Sequence, residues 1–228
     1  MQNEHTGQSS NPSGNDNDLK LLEDEVREAI ANGTHIKETV HRLTLEAMNA
    51  KHVDLESLQR IITAVMDGVQ DGATHQLLHA SNQAQAAKSQ ITEAVAGLDS
   101  ALAGFAEASK LAVQEAASQA KKFSETELKR TRSDLEGLES LFLDTLHRTG
   151  TAAQGVVSEI LLDLSHHAKN NGTTVGSQLK ETLAIFAQQI AAVGQSQLET
   201  GATLAQKTTE FISKITQGIL SGIKDKSK

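Results

Sequence analysis

Three side chains have the types and the spacing that could bind a divalent metal ion. Asp71, His75 and His79 recur at every fourth position, which places them on one face of a helix. No fourth ligand is evident near them, and His166 and His167, being adjacent, point to different sides of a helix. The pattern therefore favours solvent-facing polar strips over a metal site, and we predict that the protein has no cofactor.

Signatures of catalysis are also missing from the sequence. There is no glycine-rich phosphate loop ending in Lys-Ser or Lys-Thr, no Gly-x-Ser-x-Gly turn and no His-Glu-x-x-His. Because the chain has no cysteine, a nucleophile would have to be one of many unmarked serines or threonines. Glu136, Glu139, Asp144 and Glu159 are interpreted as ordinary carboxylates on the outer faces of helices. We predict that the protein is not an enzyme.

The composition indicates long helices with few bulky side chains. Aromatic residues make up 2% of the 228 residues, Pro12 is the only proline, and alanine dominates stretches such as "EAVAGLDSALAGFAEASKLAVQEAASQAKK". Residues 1–72 contain 6 Lys or Arg against 13 Asp or Glu, a net charge of −7, which disfavours nucleic-acid binding. No signal peptide and no run of about 18 apolar residues is visible. We predict a cytoplasmic protein without a transmembrane segment. Any association with a granule or membrane is predicted to be peripheral.

Composition and helix signals divide the chain into four predicted regions. Residues 1–17 are typical of a disordered tail, 18–72 of a short acidic helical region, 73–223 of a bundle of long helices, and 224–228 of a basic tail. The predicted fold class is all-α: an elongated antiparallel helical bundle of long Ala-rich amphipathic helices, preceded by short N-terminal helices.

The helix signals also predict where the long helices begin and end. Asp54 is predicted to be an N-cap, Ser124 and Glu127 to form a capping box, and Thr173 or Thr174 to cap a helix that follows the stop at Asn171-Gly172. A weaker break is predicted at Gly68 and Gly72. The three breaks leave segments of about 48 residues, 75–122, 124–171 and 174–222, as an antiparallel three-helix bundle requires.

An aliphatic seam runs through these segments with a period of eleven residues, which is three helical turns. Twelve of the sixteen residues met in steps of eleven from Leu58 are large aliphatics, whereas the steps from Gln59 meet none. The twelve are Leu58, Val69, Ile91, Leu102, Val113, Leu135, Leu146, Val157, Leu179, Ile190, Ile212 and Ile223. Helices with so narrow a seam must place it against one another or against another apolar surface.

The end of the chain has the pattern of a basic amphipathic helix. Within "TEFISKITQGILSGIKDKSK", the apolar face is predicted to be Phe211, Ile212, Ile215, Ile219 and Ile223, and lysines flank or follow it, among them Lys214, Lys224 and Lys226. Such a helix lies in a membrane interface or on another apolar surface. The alternative is a final bundle helix whose lysines favour its C-terminus. The first interpretation makes these eight residues a candidate surface-binding site.

Two resemblances follow from these residues. The Ala-, Gln- and Thr-rich helices without cysteine, with an aliphatic seam and a lysine-bearing end, resemble phasins, which coat polyhydroxyalkanoate granules in bacteria; the eleven-residue stripe is similar to that of apolipoprotein- and perilipin-like coats. The segment "FSETELKRTRSDLEGLESLFLDTLHRTG", followed by "HAKNNGTTVGSQLKETL", resembles a bacterial family of unknown function over roughly residues 90–195. Neither resemblance implies particular functional residues.

Two functional hypotheses remain open. In the first, the protein is a structural or surface-binding coat that lays its seam on a lipid or polyester granule surface. In the second, it is a soluble helical scaffold whose seams bury one another, which self-associates or recruits protein partners through its acidic N-terminal region. The width of the seam is compatible with both.

Overall fold

The computed structural model describes residues 12–49, 54–79, 84–118 and 124–196, and all the regular structure within those ranges is α-helical. The helices are α1 Pro12–Asn32, α2 Ile36–Asn49, α3 Leu55–His79, α4 Ala84–Ser118, α5 Glu125–Ala152, α6 Gly155–Asn171 and α7 Thr174–Ser196. The predicted all-α fold class is confirmed.

Two of the predicted capping signals are present where the sequence places them. Asp54 Oδ1 accepts a hydrogen bond from the backbone N–H of Ser57 at 2.8 Å, and this bond holds the pKa of Asp54 below its usual value. Ser124 opens α5 with a capping box: its hydroxyl accepts from the N–H of Glu127 at 3.1 Å, and the Glu127 carboxylate accepts from the N–H of Ser124 at 3.0 Å. Each bond satisfies an N–H that the helix itself leaves unpaired.

The first helix begins earlier than the sequence indicates. α1 starts at Pro12 rather than Asp18, so residues 12–17 of the predicted disordered tail are helical, and residues 1–11 lie outside the described ranges. A proline is compatible with a first helical turn because the backbone nitrogen there needs no intrahelical acceptor. The Asn and Asp residues that follow it disfavour a helix by only a fraction of a kcal/mol each, roughly.

The helix break predicted at Gly68 and Gly72 is wrong, because α3 continues through both residues. A Cβ atom on Gly68 would lie 2.5 Å from the backbone oxygen of Glu23, and one on Gly72 would lie 2.7 Å from the Cβ of Ile30. The two glycines therefore let α1 lie directly against α3. This contact outweighs the roughly 1 kcal/mol by which a glycine weakens a helix.

Helices two places apart in chain order pack side by side and run in the same direction. Along α1 and α3, and along α3 and α5, contacting residue numbers rise together. The residue pairs that show it are Glu23–Gly68, Ile30–Gln76, Leu55–Gly137 and Asp67–Arg148. These three helices form one layer of the molecule.

The second layer contains α2, α4, α6 and α7. These helices are parallel too, because the residue numbers of contacting pairs rise together. This holds for the contacts of α4 with the start of α2, and for the contacts of α4 with α6 and then with α7. The residue pairs are Gly33–Gln90, Lys37–Gly97, Lys88–Asp163, Asp99–Thr174 and Ala106–Thr182. Since α7 continues along α4 in the direction of α6, the chain ends a helix at Asn171 as predicted but does not fold back there.

A tight turn that the sequence analysis missed joins the two layers. α5 ends at Ala152 and α6 begins at Gly155, whose φ of +58° is a conformation that favours glycine. The Ser158 hydroxyl donates to the backbone oxygen of Gly150 across this turn at 2.7 Å, so α5 and α6 form an antiparallel hairpin. The continuous helix predicted over 124–171 is therefore wrong.

The whole arrangement is a stack of three helical hairpins: α1 with α2, α3 with α4, and α5 with α6 and α7. Stacked hairpins are the architecture of α-solenoid proteins. The predicted three-helix bundle with equal segments is wrong in the number and length of its helices, because predicted segment 75–122 begins inside α3 and predicted segment 124–171 contains the α5–α6 turn.

The aliphatic seam is buried within this stack. Nine of its ten described members are buried, and the tenth, Ile190, is partly buried against the same core. That core is continuous and contains residues of every helix from α1 to α7. It therefore includes residues on both sides of residue 72, the predicted boundary between the acidic region and the bundle. Ile212 and Ile223 lie outside the described residues. The seam thus faces neighbouring helices of the same chain.

Candidate functional site

The eight residues predicted to bind a surface, from Phe211 to Lys226, lie outside the described ranges. The candidate metal residues are partly described: Asp71 and His75 are exposed on α3, and His79 is its last residue. His166 and His167 are exposed on α6, where the ring of His167 contacts the side-chain amide of Asn171 at 3.1 Å. Within 12–49, 54–79, 84–118 and 124–196, no three His, Asp or Glu side chains are grouped to hold a metal ion.

The structure instead brings two carboxylates together at the start of α7, and we call this group the α7 clamp: Asp99, Glu139, Thr173 and Gly176. Asp99, on α4, accepts hydrogen bonds from the backbone N–H groups of Thr174 at 2.8 Å and Val175 at 2.9 Å. These are first-turn donors that a helix leaves unpaired. The carboxylate also lies at the positive end of the helix dipole, which stabilises it there.

The second carboxylate of the clamp comes from α5. The Thr173 hydroxyl donates to Glu139 Oε1 at 2.6 Å and accepts from the N–H of Gly176 at 2.9 Å, which makes Thr173 the N-cap of α7, as predicted. A Cβ atom on Gly176 would overlap the Glu139 carboxylate. The absence of a side chain at Gly176 is therefore what allows α5 to approach the start of α7.

Sequence reasoning missed both carboxylates. Glu139 was predicted to be an ordinary outward carboxylate, but it is half-buried and bound to Thr173. Glu136, Asp144 and Glu159 are exposed as predicted. The signal for Asp99 is present in "GLDSALAG", where one acid stands within an alanine-rich stretch of α4. Only the packing of α4 beside α7 shows what that acid binds.

The face that α7 packs against the stack mixes polar and apolar side chains, and Leu183, Ile185, Ile190 and Val193 are partly buried there. Among its described side chains, the buried apolar residues are Val175, Leu179 and Phe186. Beside them Thr182 is fully buried and donates to the backbone oxygen of Ala106 at 3.1 Å and of Gln178 at 3.0 Å. Gln178 also buries an Nε2 atom for which the structure shows no acceptor.

A second polar contact lies where α2 crosses α4. His41 is half-buried there and is hydrogen-bonded to the backbone of Gly97, and its Nδ1 atom is buried without a partner in the described structure. Burial lowers the pKa of His41, the bond to Gly97 opposes that shift, and the nearby charges of Lys37 and Glu38 act in opposite directions. The folded protein therefore favours the neutral imidazole.

This interface predicts how stability depends on pH. Because the pKa of His41 is lower in the folded state, unfolding takes up a proton below the ordinary histidine pKa of about 6.5. The stability that neutral His41 contributes is complete above that pH and is lost as the pH falls through about 6.5 toward the folded pKa. Urea titrations at several pH values should show a smaller acid loss for His41→Gln than for the wild type. Equal losses in the two proteins would contradict this assignment.

The acidic charge of the first 72 residues is concentrated on the α1–α3 surface. Burial raises the pKa of Asp67, and the neighbouring carboxylates of Glu23 and Asp71 raise it further, against the opposing charges of Arg148 and Lys20. Two basic residues of α5, Lys129 and Arg132, are by contrast paired with carboxylates of the same helix. Their ion pairs are Lys129–Glu125 at 2.5 Å and Arg132–Glu136 at 2.8 Å.

Comparison with known proteins identifies a family without assigning an activity. A family described as one of unknown function, DUF6781, matches residues 12–228. This match confirms the resemblance to a family of unknown function and extends it beyond residues 90–195. No curated protein and no solved structure gives a significant match. In the described part of the chain, every helix is too short or too polar to cross a membrane.

Proposed function

The chain belongs to the DUF6781 family of unknown function, and we propose that it is a non-enzymatic helical protein that attaches to an apolar surface through residues 207–228. In this proposal the stack of hairpins is the body of the protein, and the C-terminal stretch is its attachment to a lipid membrane or a polyester granule. It works at the granule or membrane periphery of a bacterial cytoplasm, as the likeness to phasins implies.

The burial of the aliphatic seam is the observation that carries this proposal. Seam residues such as Leu102 and Leu146 are fully buried between helices, so the closed body cannot use them to bind a surface. The large apolar side chains exposed on the described body are scattered over four helices: Leu21, Leu78, Leu111 and Val156. Isolated exposed leucines are ordinary in a folded protein. The strongest amphipathic pattern left for attachment is that of the C-terminal stretch.

Two of the buried hydroxyl groups support a structural role for the body. Thr44 donates to the backbone oxygen of Val40 at 2.7 Å, and Ser109 donates to that of Phe105 at 2.9 Å. Both side chains are fully buried, so each hydroxyl is bonded to its own helix rather than directed at a substrate.

The C-terminal stretch has the chemistry for attachment to an apolar surface. Phe211, Ile212, Ile215, Ile219 and Ile223 recur at helical spacing, so that a helix formed on a surface would bury them together. The lysines at 214, 224 and 226 would remain at the polar boundary and attract anionic headgroups, with about 1 kcal/mol gained for each.

Deleting residues 207–228 should abolish flotation of the protein with phosphatidylglycerol-containing liposomes or polyester granules in a density gradient. The reason is that the deletion removes the predicted apolar face together with its lysines. A matched control replaces Lys214, Lys224 and Lys226 by glutamine and keeps the apolar face; it should weaken liposome binding and remove most of its salt dependence. Flotation of the truncated protein at the wild-type level would overturn the proposal.

A soluble scaffold is the second candidate, and the same burial of the seam favours it. A body that buries its own apolar residues needs no particle, and the acidic α1–α3 surface around Asp67 could bind a basic partner. Light scattering distinguishes the two functions. A defined oligomer that ignores liposomes and granules would favour the scaffold, whereas flotation favours the surface-binding protein.

A further inference from the structure

The last described helix is attached to one edge of the stack. α7 packs on α4 and α5, while α1, α2, α3 and α6 make their principal contacts with one another or with α4 and α5. Detaching α7 would therefore leave the α1–α3, α2–α4, α3–α5 and α5–α6 contacts in place. A helix in this position can open without the other hairpins unfolding.

The connection between α6 and α7 is suited to rotation. α6 ends at Asn171 and α7 begins at Thr174, so Gly172 and Thr173 form the whole linker. Gly172 has a φ of +82°, and a Cβ atom built on it would meet no other atom within 4 Å. Glycine has the widest choice of backbone conformations, and here it also has open space around it.

The contacts that hold α7 closed can be exchanged for contacts with water. Asp99 and Glu139 belong to other helices, so the α7 clamp opens when α7 moves, and the N–H groups of its first turn then bind water. The face that α7 turns to the stack mixes polar Thr182 and Gln178 with buried Val175, Leu179 and Phe186, while Leu183, Ile185, Ile190 and Val193 are only partly buried. α3, by contrast, buries a continuous set of apolar residues: Leu58, Ile61, Ile62, Ala64, Val65, Met66, Val69 and Ala73.

We propose that α7 is a releasable helix that swings out about Gly172 and lays Val175, Leu179 and Phe186 on an anionic lipid surface. This inference rests on the proposed function, because the C-terminal stretch brings the protein to that surface. In water, burial of the apolar face keeps α7 closed. At a lipid surface the same face is buried against acyl chains, which offsets part of the burial that α7 loses inside the stack.

Hydrogen exchange in solution, without any lipid, tests the release directly. Asp99→Ala removes the clamp's cap on α7, and exchange of the α7 amides should become about fivefold to tenfold faster, as expected for the loss of one helix cap. The matched control is Asp54→Ala, which removes the cap of α3. That control should leave exchange of the α7 amides unchanged, because the lost cap belongs to α3. Equal acceleration of α7 and α3 in Asp99→Ala, or no acceleration of α7, would overturn the proposal.

A second variant covers the case in which Asp99→Ala does not fold. In Gly176→Ala the added methyl group displaces the Glu139 carboxylate, while alanine strengthens the α7 helix itself. Because the bond between Thr173 and Glu139 is lost, we expect faster exchange across the α7 amides, with the α3 amides unchanged. Exchange in α7 at or below the wild-type rate would count against release through the clamp.

Vesicles of phosphatidylcholine and phosphatidylglycerol test the lipid contact. If release is part of binding, Asp99→Ala should bind them about fivefold to tenfold more tightly than wild type, because apparent affinity follows the population of the competent form. Equal binding by the two proteins would refute the lipid contact of α7. Failure of wild type to bind vesicles at all would refute the proposed function, yet the exchange experiment would still report whether α7 opens.

Discussion

Replacing Gly97 by alanine should lower the free energy of unfolding by about 2–3 kcal/mol, the upper part of the range for overpacked interiors. A Cβ atom at this position would lie 2.5 Å from the backbone oxygen of Lys37 and 3.2 Å from its carbonyl carbon and Cα. All three atoms belong to the backbone at the start of α2, so no side-chain rotation can relieve the overlap. The added methyl group must push α2 away from α4, and the contact of His41 with Gly97 is disturbed as well.

The same helix supplies the matched control. Gly104 lies two turns further along α4, and a Cβ atom built there would meet no atom within 4 Å. Gly104→Ala should therefore stabilise the protein by about 0.5–1 kcal/mol, because alanine loses less backbone entropy in a helix. Urea unfolding followed by circular dichroism measures both variants. Shifts of the same sign in the two would contradict the close approach of α2 and α4.

Replacing Phe142 by alanine should lower the free energy of unfolding by about 3–5 kcal/mol. Phe142 is one of the two largest fully buried side chains, with 1% of its surface exposed. The core around it is assembled from alanines and medium aliphatics, so few large side chains are available to fill the cavity. A domain with an ordinary free energy of unfolding, about 5–15 kcal/mol, would lose a large part of that free energy.

Thermal and urea unfolding check this prediction against two controls. Leu111→Ala removes a side chain that is 54% exposed and should cost less than about 1 kcal/mol. Phe142→Leu retains most of the buried volume and should fall between the two, since the cost follows the cavity that remains. A Phe142→Ala variant as stable as Leu111→Ala would show that α5 does not pack into the core at this point.

Local and periodic features of this protein were predictable from its sequence. The helical state, the caps at Asp54, Ser124 and Thr173 and the helix end at Asn171 depend on residues close together in the chain, and all of them are present. The eleven-residue seam was predictable for the same reason. Its period is a property of a single helix, and its large aliphatics are buried wherever the structure describes them, with Ile190 partly so.

Only the tertiary structure decided how the helices associate. Within a single helix a glycine weakens the structure and an acid prefers water, so the sequence predicts a helix break at Gly68 and an outward carboxylate at Glu139. Packing reverses both preferences: Gly68 lets α1 approach α3, and Glu139 binds Thr173 at the start of α7. The sequence by itself determined that the chain is helical and where the aliphatic seam lies on its helices. The partner of each face depends on contacts between residues far apart in the chain, such as Asp99 with Val175, which are 76 residues apart, and no local pattern contains such contacts.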